Sequence, residues 1–407
     1  MLSLLQEFWQ FIRGSTLVVV RGGRRYYVWI ASLLAIIALG ALAYVQQIDH
    51  GLIVSNMRDQ LSWGLYIGNF AFLVGIAAAA VVLVIPAYIH GWKPIRDVVL
   101  LGEFMAVAAI VMSILFVAVD LGRPDRIWHM MPLLGTPNFP YSMLVWDVLV
   151  LTAYLAINVF IVTYLVYTSY RGRPYNPALI LPIIFLSIPL AISIHTVTAF
   201  LFAGVEARPF WYTAILAPRF IASAFVSGPS LLVPVFMVVR RVRDFEITDA
   251  ALTTIGQLLA YLMGINLFFL GCEVFQEFYS HDSHAIQTEL RWLGVEERAD
   301  IAWYTWLSLT GQVTALLVFV VPELRNRLPL LATGCVLAFA GVYIEKGLGL
   351  VLLGMTPDVL GEVYAYTPSL IEMLVGAGIW GVGALLFTLM VKVATAISAG
   401  DLGSRSA

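Results

Sequence analysis

One histidine, His195, lies deep within an unbroken apolar run from Leu179 to Phe202 (LILPIIFLSIPLAISIHTVTAFLF). A side chain that ionises near neutral pH is costly in hydrocarbon, so its retention there reads as part of a proton, electron or ligand site. Other polar groups interrupt apolar runs as well: Asn69, Glu103, Asp147, Asn266, Glu273, Glu345, Lys346 and Glu372. The remaining histidines, His50, His90, His129, His281 and His284, fall at the ends of such runs or between them. A b-type haem held between two facing imidazoles is therefore not expected. Cys272 and Cys335 stand alone in apolar runs without CxxC spacing, so neither a disulfide framework nor an iron–sulfur or zinc site is supported. No haem or metal is expected in this chain, and metal chemistry would have to come from partners.

The elements that position these groups follow from composition. The chain has 407 residues, 61% hydrophobic and 12% charged, with a mean hydropathy of +0.90. That is too little polar surface to cover a water-soluble core, so the fold class is an all-α integral membrane protein. Runs of about 20 residues suffice to cross a bilayer, and ten are visible: roughly 27–46, 63–89, 97–119, 142–168, 178–204, 218–239, 250–275, 303–321, 328–353 and 367–395. Fifteen Lys and Arg residues fall on one side of these spans and seven on the other, which puts both termini in the cytoplasm of a multi-pass inner-membrane protein. Residues 1–20 carry Glu7 and Arg13 and lack a small-residue cleavage site, as expected of an amphipathic helix along the inner surface. A single polytopic domain over 1–407 is the simplest organisation. Spans two to five and six to nine begin on the same side and suggest two four-helix bundles with flanking helices.

Depth along each span adds a gradient. Trp63, Asn69, Ser142, Asp147 and His195, with Thr198 one turn beyond on the same face, all fall toward the outer side. So do Glu273, Glu345, Lys346 and Glu372, whereas Glu103 lies in an inner half. Structural roles stand beside functional ones. Trp63 reads equally as an interfacial anchor, and Asp147 as a cap or a partner of Arg123 or Arg219. Glu345 and Lys346 are neighbours that cannot face each other on a helix, so each needs its own partner, Glu273 or Glu372 for Lys346. His195 could be an interhelical hydrogen-bond donor.

An acid–base histidine with carboxylates beneath a membrane edge suits a two-electron, two-proton lipid carrier, whose head needs hydrogen-bond partners and whose tail needs an apolar cleft. The motifs WGLYIGNFAFLVGIAAAA (63–80), DLGRPDRIWHMM (120–131), SMLVWD (142–147) and IHTVTAFLFAGVEARPFWYTAILAPRFIASAFVSGP (194–229) resemble the NrfD/PsrC family of polysulfide-reductase-type membrane subunits. The last of these is similar to the ten-helix branch, and the segment from Tyr44 to Tyr88 is most similar to the DsrP members of DsrMKJOP complexes of sulfur metabolism.

The resemblance implies a haem-free subunit of an oxidoreductase complex, with menaquinone or ubiquinone as substrate and a ferredoxin-like iron–sulfur subunit docked on the outer face. Cytochrome b, cytochrome c and further iron–sulfur subunits of a larger complex, and membrane lipid, are the other implied partners; nucleic acid is not. It places the quinone pocket in the first bundle near the outer face. His195 would bond a quinone oxygen and relay its proton, with Asp147 and Asp120 as proton-exchanging acids. Trp63, Tyr66, Asn69, Arg123, Ser142 and Thr198 would line or border the pocket. Glu103 would begin an inner proton route, and Glu273, Glu345, Lys346 and Glu372 a second polar channel. Phe70 stands where eight-helix members carry a pocket histidine, which moves the pocket chemistry toward His195. The loops 122–140 and 205–219 would be docking surface.

Two rival readings remain. Pro182 and Pro189, Pro229 and Pro234, together with buried carboxylates, also suit a secondary transporter, although a transporter site would sit nearer the midplane. A non-catalytic anchor would not need the intramembrane charges.

Overall fold

Hydrocarbon offers the backbone no hydrogen-bond partners, so a chain this apolar closes its N–H and C=O groups inside helices. The computed structural model describes residues 2–78, 80–96, 98–131, 134–242, 247–279, 285–294, 299–357 and 361–402. His281, His284, Arg243, Arg298 and Arg405 lie outside these residues. After α1 (Leu2–Val20) come ten helices long and apolar enough to cross a membrane, as the composition requires. They are α2 (Arg24–His50), α3 (Leu65–Ile89), α4 (Val99–Asp120), α5 (Met143–Tyr170), α6 (Pro177–Ala203) and α7 (Leu216–Val242). The last four are α8 (Asp249–Tyr279), α9 (Ile301–Val320), α10 (Leu328–Met355) and α11 (Leu370–Ser398). No strand occurs among the described residues.

Helices α3 to α6 close one four-helix bundle and α7 to α10 a second, joined where α7 and α10 pack on α3 and α6 packs on α7. The pair α2 and α11 flanks the first bundle against α4. Burial falls outward in the same order: 88% of the apolar window of α3 is inside the protein, against 17% for α2. The lipid-facing sides carry large apolar groups such as Leu42 on α2, Leu186 on α6 and Phe268 on α8.

Tight helix crossings rest on glycine pairs, since close backbone approach replaces a hydrophobic drive between helices in lipid. A Cβ at Gly40 would stand 2.7 Å from the Gly378 Cα, fixing the α2–α11 crossing. A Cβ at Gly68 would stand 3.1 Å from the Gly347 carbonyl carbon, so α3 presses on α10. At that point α10 widens into a π-type turn over Tyr343–Gly349, which carries Glu345 and Lys346. Helix α1 lays Phe11 against Tyr167 and Tyr170 near the end of α5, with ring centroids 5.4 and 5.2 Å apart, and pairs Glu7 with Arg171 at 3.0 Å.

Candidate functional site

Polar groups gather at the end of the helices where the long loops 121–142 and 204–215 connect α4 to α5 and α6 to α7. In the first bundle, Asn176 caps α6 by accepting from the Ala178 N–H at 3.0 Å, and Pro177 opens the first turn. That sets the register which turns His195, Thr198 and Phe202 inward, all with no exposed surface. Ser142 caps α5 in turn, accepting from the Val145 N–H at 3.4 Å, and Asp147 follows one turn on. The two helices meet through a side-chain pair: the Thr198 hydroxyl lies 2.7 Å from both Asp147 Oδ1 and the Ile194 carbonyl oxygen. One hydroxyl hydrogen serves two oxygens, so the proton count of this pair is decided at Asp147. Asp147 Oδ2 and both ring nitrogens of His195 are buried and without a hydrogen-bond partner.

Such groups are costly to bury unless something bonds them. A neutral imidazole offers one donor and one acceptor, and the Asp147 carboxyl, bonded to Thr198 one turn along from His195, offers a proton site. Their hydrogen-bonding capacity is left unused inside the protein. An aromatic cluster covers these groups toward the loops: Trp63 stacks on Trp211 at 5.4 Å and meets Phe202 edge-on at 5.3 Å. Trp211 is locked by its Nε1–H, which donates to the Leu350 carbonyl at 2.9 Å. Trp63 therefore packs into the protein, where an interfacial anchor was one expectation.

The structure separates several residues expected at one pocket. Tyr66 donates to Gln47 at 2.7 Å, toward α2, and Gln47 in turn donates to the Val119 carbonyl at 2.6 Å. Asn69 is engaged within the protein: it donates to Leu65 O at 2.8 Å and accepts from Trp380 at 2.9 Å and Tyr343 at 3.3 Å. Both thus face α2, α10 and α11, away from His195. Asp120, with Oδ1 buried and unpartnered, ends α4 in the electrostatic neighbourhood of Glu372 and Tyr66. Arg123 lies at the surface of the loop after α4. Its side chain is 67% exposed and bonds Asp125 at 3.0 Å, which also removes it as a partner of Asp147. Glu103 is buried in the opposite half of α4, within electrostatic reach of Tyr88 and Tyr154.

Glu372 has a structural position. With Ser369 it forms the capping box of α11; its Oε2 accepts from Ser369 N–H and Asn56 N–H at 2.9 Å, and its Oε1 from Tyr366 at 2.5 Å. Burial and this carboxylate push the Tyr366 phenol far above its ordinary pKa, so it stays a donor. The S-x-x-E spacing of 369–372 was the legible signal for this cap.

In the second bundle Arg219, at the start of α7, pairs with both Glu273 of α8 and Glu345 of α10. Glu345 also accepts from Gln312 of α9 at 2.6 Å, and Gln312 accepts from Asn266 at 2.8 Å. Arg291, on the short helix Ala285–Trp292, bonds Glu277 at 2.9 Å and Glu273 at 3.5 Å. Lys346 pairs with neither Glu273 nor Glu372. Because the wide turn of α10 sends it the other way, its Nζ donates to the Phe220 carbonyl at 3.0 Å and stands 4.4 Å from the Phe220 ring. A Cβ at Gly75 would find Lys346 Nζ at 3.2 Å and Ser227 Oγ at 3.4 Å, so this ammonium occupies the seam between the bundles. Beside the Arg219 network lies a cavity of about 310 Å³. Arg219, Arg291 and Gln312 were missed as site residues. The available signal was that Glu273 and Glu345 needed cations at the same depth, and Arg219 begins the neighbouring span.

Residues 53–354 match the family model described as "Polysulphide reductase, NrfD". The chain belongs to this family. It is 30% identical over 399 residues to a putative dimethyl sulfoxide reductase membrane subunit of Halobacterium salinarum, covering 89% of each chain. It is 22% identical to a selenate reductase subunit of Mesobacillus selenatarsenatis, over 91% of this chain and 94% of that one. An Hdr-like menaquinol oxidoreductase integral membrane subunit of Archaeoglobus fulgidus is 21% identical over 91% of this chain and 93% of its own. Membership supports a membrane subunit of a quinone-linked redox complex. It does so at the level of the family, with nothing specific to the DsrP branch. Among the described residues, no group of three or more His, Cys, Asp and Glu side chains could hold a metal ion.

Proposed function

We propose that this NrfD-family subunit exchanges electrons and protons between a membrane quinone and an iron–sulfur subunit docked on the long-loop face. The observation that carries this reading is the trio of buried, unpartnered atoms on α5 and α6: both nitrogens of His195 and Asp147 Oδ2. On quinol oxidation His195 bonds one phenolic oxygen and takes its proton, while Asp147 in its ionised form, held by the Thr198 hydroxyl, takes the proton of the second. The two electrons leave through the iron–sulfur chain of the docked subunit. Trp63, Phe202 and Trp211 exclude water above the site, and the half-buried Trp63 gives way for a head group to reach it. Menaquinone is the preferred quinone, in keeping with the menaquinol in the name of the archaeal relative.

The docking face has the surface for such a partner. Trp128, Leu134, Phe139, Tyr141 and Tyr212 expose 46, 67, 50, 85 and 64% of their area on these loops, and exposed aromatic groups of this kind are enriched at protein interfaces. Arg208 holds the 204–215 loop in place by donating to the carbonyls of Met355 at 2.9 Å and Gln60 at 3.3 Å. Cytochrome b and cytochrome c subunits complete the proposed assembly. A sulfur-compound reaction, as in the DsrP-containing complexes, is its proposed context. Proton movement inward would use Glu103, and Lys346 would link the two bundles.

Quinol-dependent turnover of the purified complex tests the assignment. Activity lost in His195→Ala while the subunits still co-purify supports it; unchanged turnover removes His195 from the reaction.

A further inference from the structure

The cavity of about 310 Å³ in the second bundle does not have His195 on its wall. It is bounded by α7 to α10, the short helix and the loop at Tyr366, and so lies at the same end of the molecule as the His195 site but in the other bundle. Its size falls at the lower end of ligand sites, about 300–1,000 Å³. Leucine and aromatic side chains make most of the wall, including Leu270, Leu309, Leu352 and Trp292. Tyr304, in the first turn of α9 and on the wall, is 51% exposed.

The charge on the wall narrows the ligand. Arg219 is held by Glu273 and Glu345, and Arg291 by Glu277 and Glu273. The cations are already neutralised, which disfavours an anionic head such as a phosphate. Each guanidinium nevertheless has five N–H groups, and Arg291 meets its carboxylates through Nη1. A neutral carbonyl oxygen suits the remaining donors, and the adjoining carboxylates accept from a hydroxyl at the same position. Two of the nearby hydroxyls are engaged within the protein: Ser308 with the Gly341 carbonyl at 2.8 Å and Thr305 with Ile301 O at 3.3 Å. Such a wall suits a flat apolar ring with few polar atoms, with Tyr304 at its exposed margin.

We infer that the second bundle holds a second quinone-type head-group site, walled by Arg219, Arg291, Glu345 and Leu309 and separate from His195. This rests on the reading that the subunit meets quinone at all. No electron transfer is assigned to it; it is a binding site.

The test is photolabelling of the whole complex in native membranes with a short-tailed azidonaphthoquinone, followed by peptide mapping. The expected result is label on peptides containing 301–309 or 343–353, competed by unlabelled menaquinone analogue and distinct from label on α6. Filling the cavity with Leu309→Trp, or independently with Thr305→Phe, is expected to abolish that label and leave the α6 label in place; retention of the cavity label in both variants overturns the inference. Label confined to α6 overturns the second site and leaves the His195 reading standing. Label at neither place overturns both, and label at the cavity alone supports this inference while removing His195. Cavity label that excess menaquinone analogue fails to displace but added phospholipid does marks an acyl-chain pocket and overturns the inference.

Discussion

The interiors of the two bundles handle buried polarity in opposite ways. In the first, His195 and Asp147 have no exposed surface to speak of, yet three of their polar atoms have no partner. In the second, Arg219, Arg291, Glu273, Glu277 and Glu345 bond one another beside an open cavity. Unsatisfied groups lower stability and are kept where a ligand or proton completes them; satisfied networks hold helices in one arrangement. The difference is the ground on which the proposed reaction is placed in the first bundle and a structural network beside a cavity in the second. It also makes the two separable by experiment, because one should fail in turnover and the other in folding.

The largest expected effect is Arg219→Ala. It leaves Glu273 and Glu345 buried without their shared cation, a change that costs about 3–5 kcal/mol when one partner of a buried pair is removed. Folded protein recovered from membranes should fall sharply, and thermal unfolding of what remains should shift down. Arg219→Met combined with Glu273→Gln and Glu345→Gln removes the stranded charges and should recover part of that loss. Normal stability in Arg219→Ala alone would erase the contrast between the bundles.

Next is His195→Leu, of similar bulk. Quinol-dependent turnover should fall by at least about 10²-fold, the lower range for a lost general acid–base. Its stability should hold or rise, because an imidazole left without partners costs about 1–3 kcal/mol. A variant that loses stability and keeps turnover would exchange the roles assigned to the two interiors.

Gly40→Leu tests the flank that neither bundle owns. The new side chain must enter the space occupied by Gly378, and overpacking of this kind costs about 1–3 kcal/mol. Thermal unfolding should register it, whereas turnover per folded complex should not change. A turnover defect equal to that of His195→Leu would mean that α2 and α11 shape the reactive site directly.

Much of this arrangement is legible in the order of the residues. Ten apolar runs become ten helices because nothing else satisfies a backbone in hydrocarbon. The parity of the spans points to the two bundles, and helical spacing puts His195 and Thr198 on one face; that Asp147 of α5 meets that face is visible only in the structure. Rotation about each helix axis is what the sequence hides. Tyr66 and Asn69 share the depth of His195 but point to α2, α10 and α11, and nothing in an almost uniformly apolar helix such as α3 reveals which face is which. The wide turn in α10 hides the partners of Glu345 and Lys346 for the same reason, since it alters the angle between consecutive side chains. Arg219 looks like a loop cation because it begins its helix.

The smallest effect is expected at Arg123, which the sequence placed beside the pocket and the structure places in solvent. Its side-chain bond holds the Asp125 carboxyl below the usual range. A depressed folded-state value means that any contribution to stability is present at neutral pH and is lost as pH falls through that value. Both side chains are exposed, at 67 and 59%, so salt screens the pair and little stability depends on it. Arg123→Ala should therefore leave turnover, KM for quinol and thermal unfolding at neutral pH unchanged, with any difference confined to strongly acidic, low-salt buffer. Because Arg123 does lie on the proposed docking face, its one measurable effect should be on association with the iron–sulfur subunit, and that effect should shrink as salt is raised. A changed KM for quinol with association intact would return Arg123 to the pocket and blur the boundary drawn between the reactive interior and the loops above it.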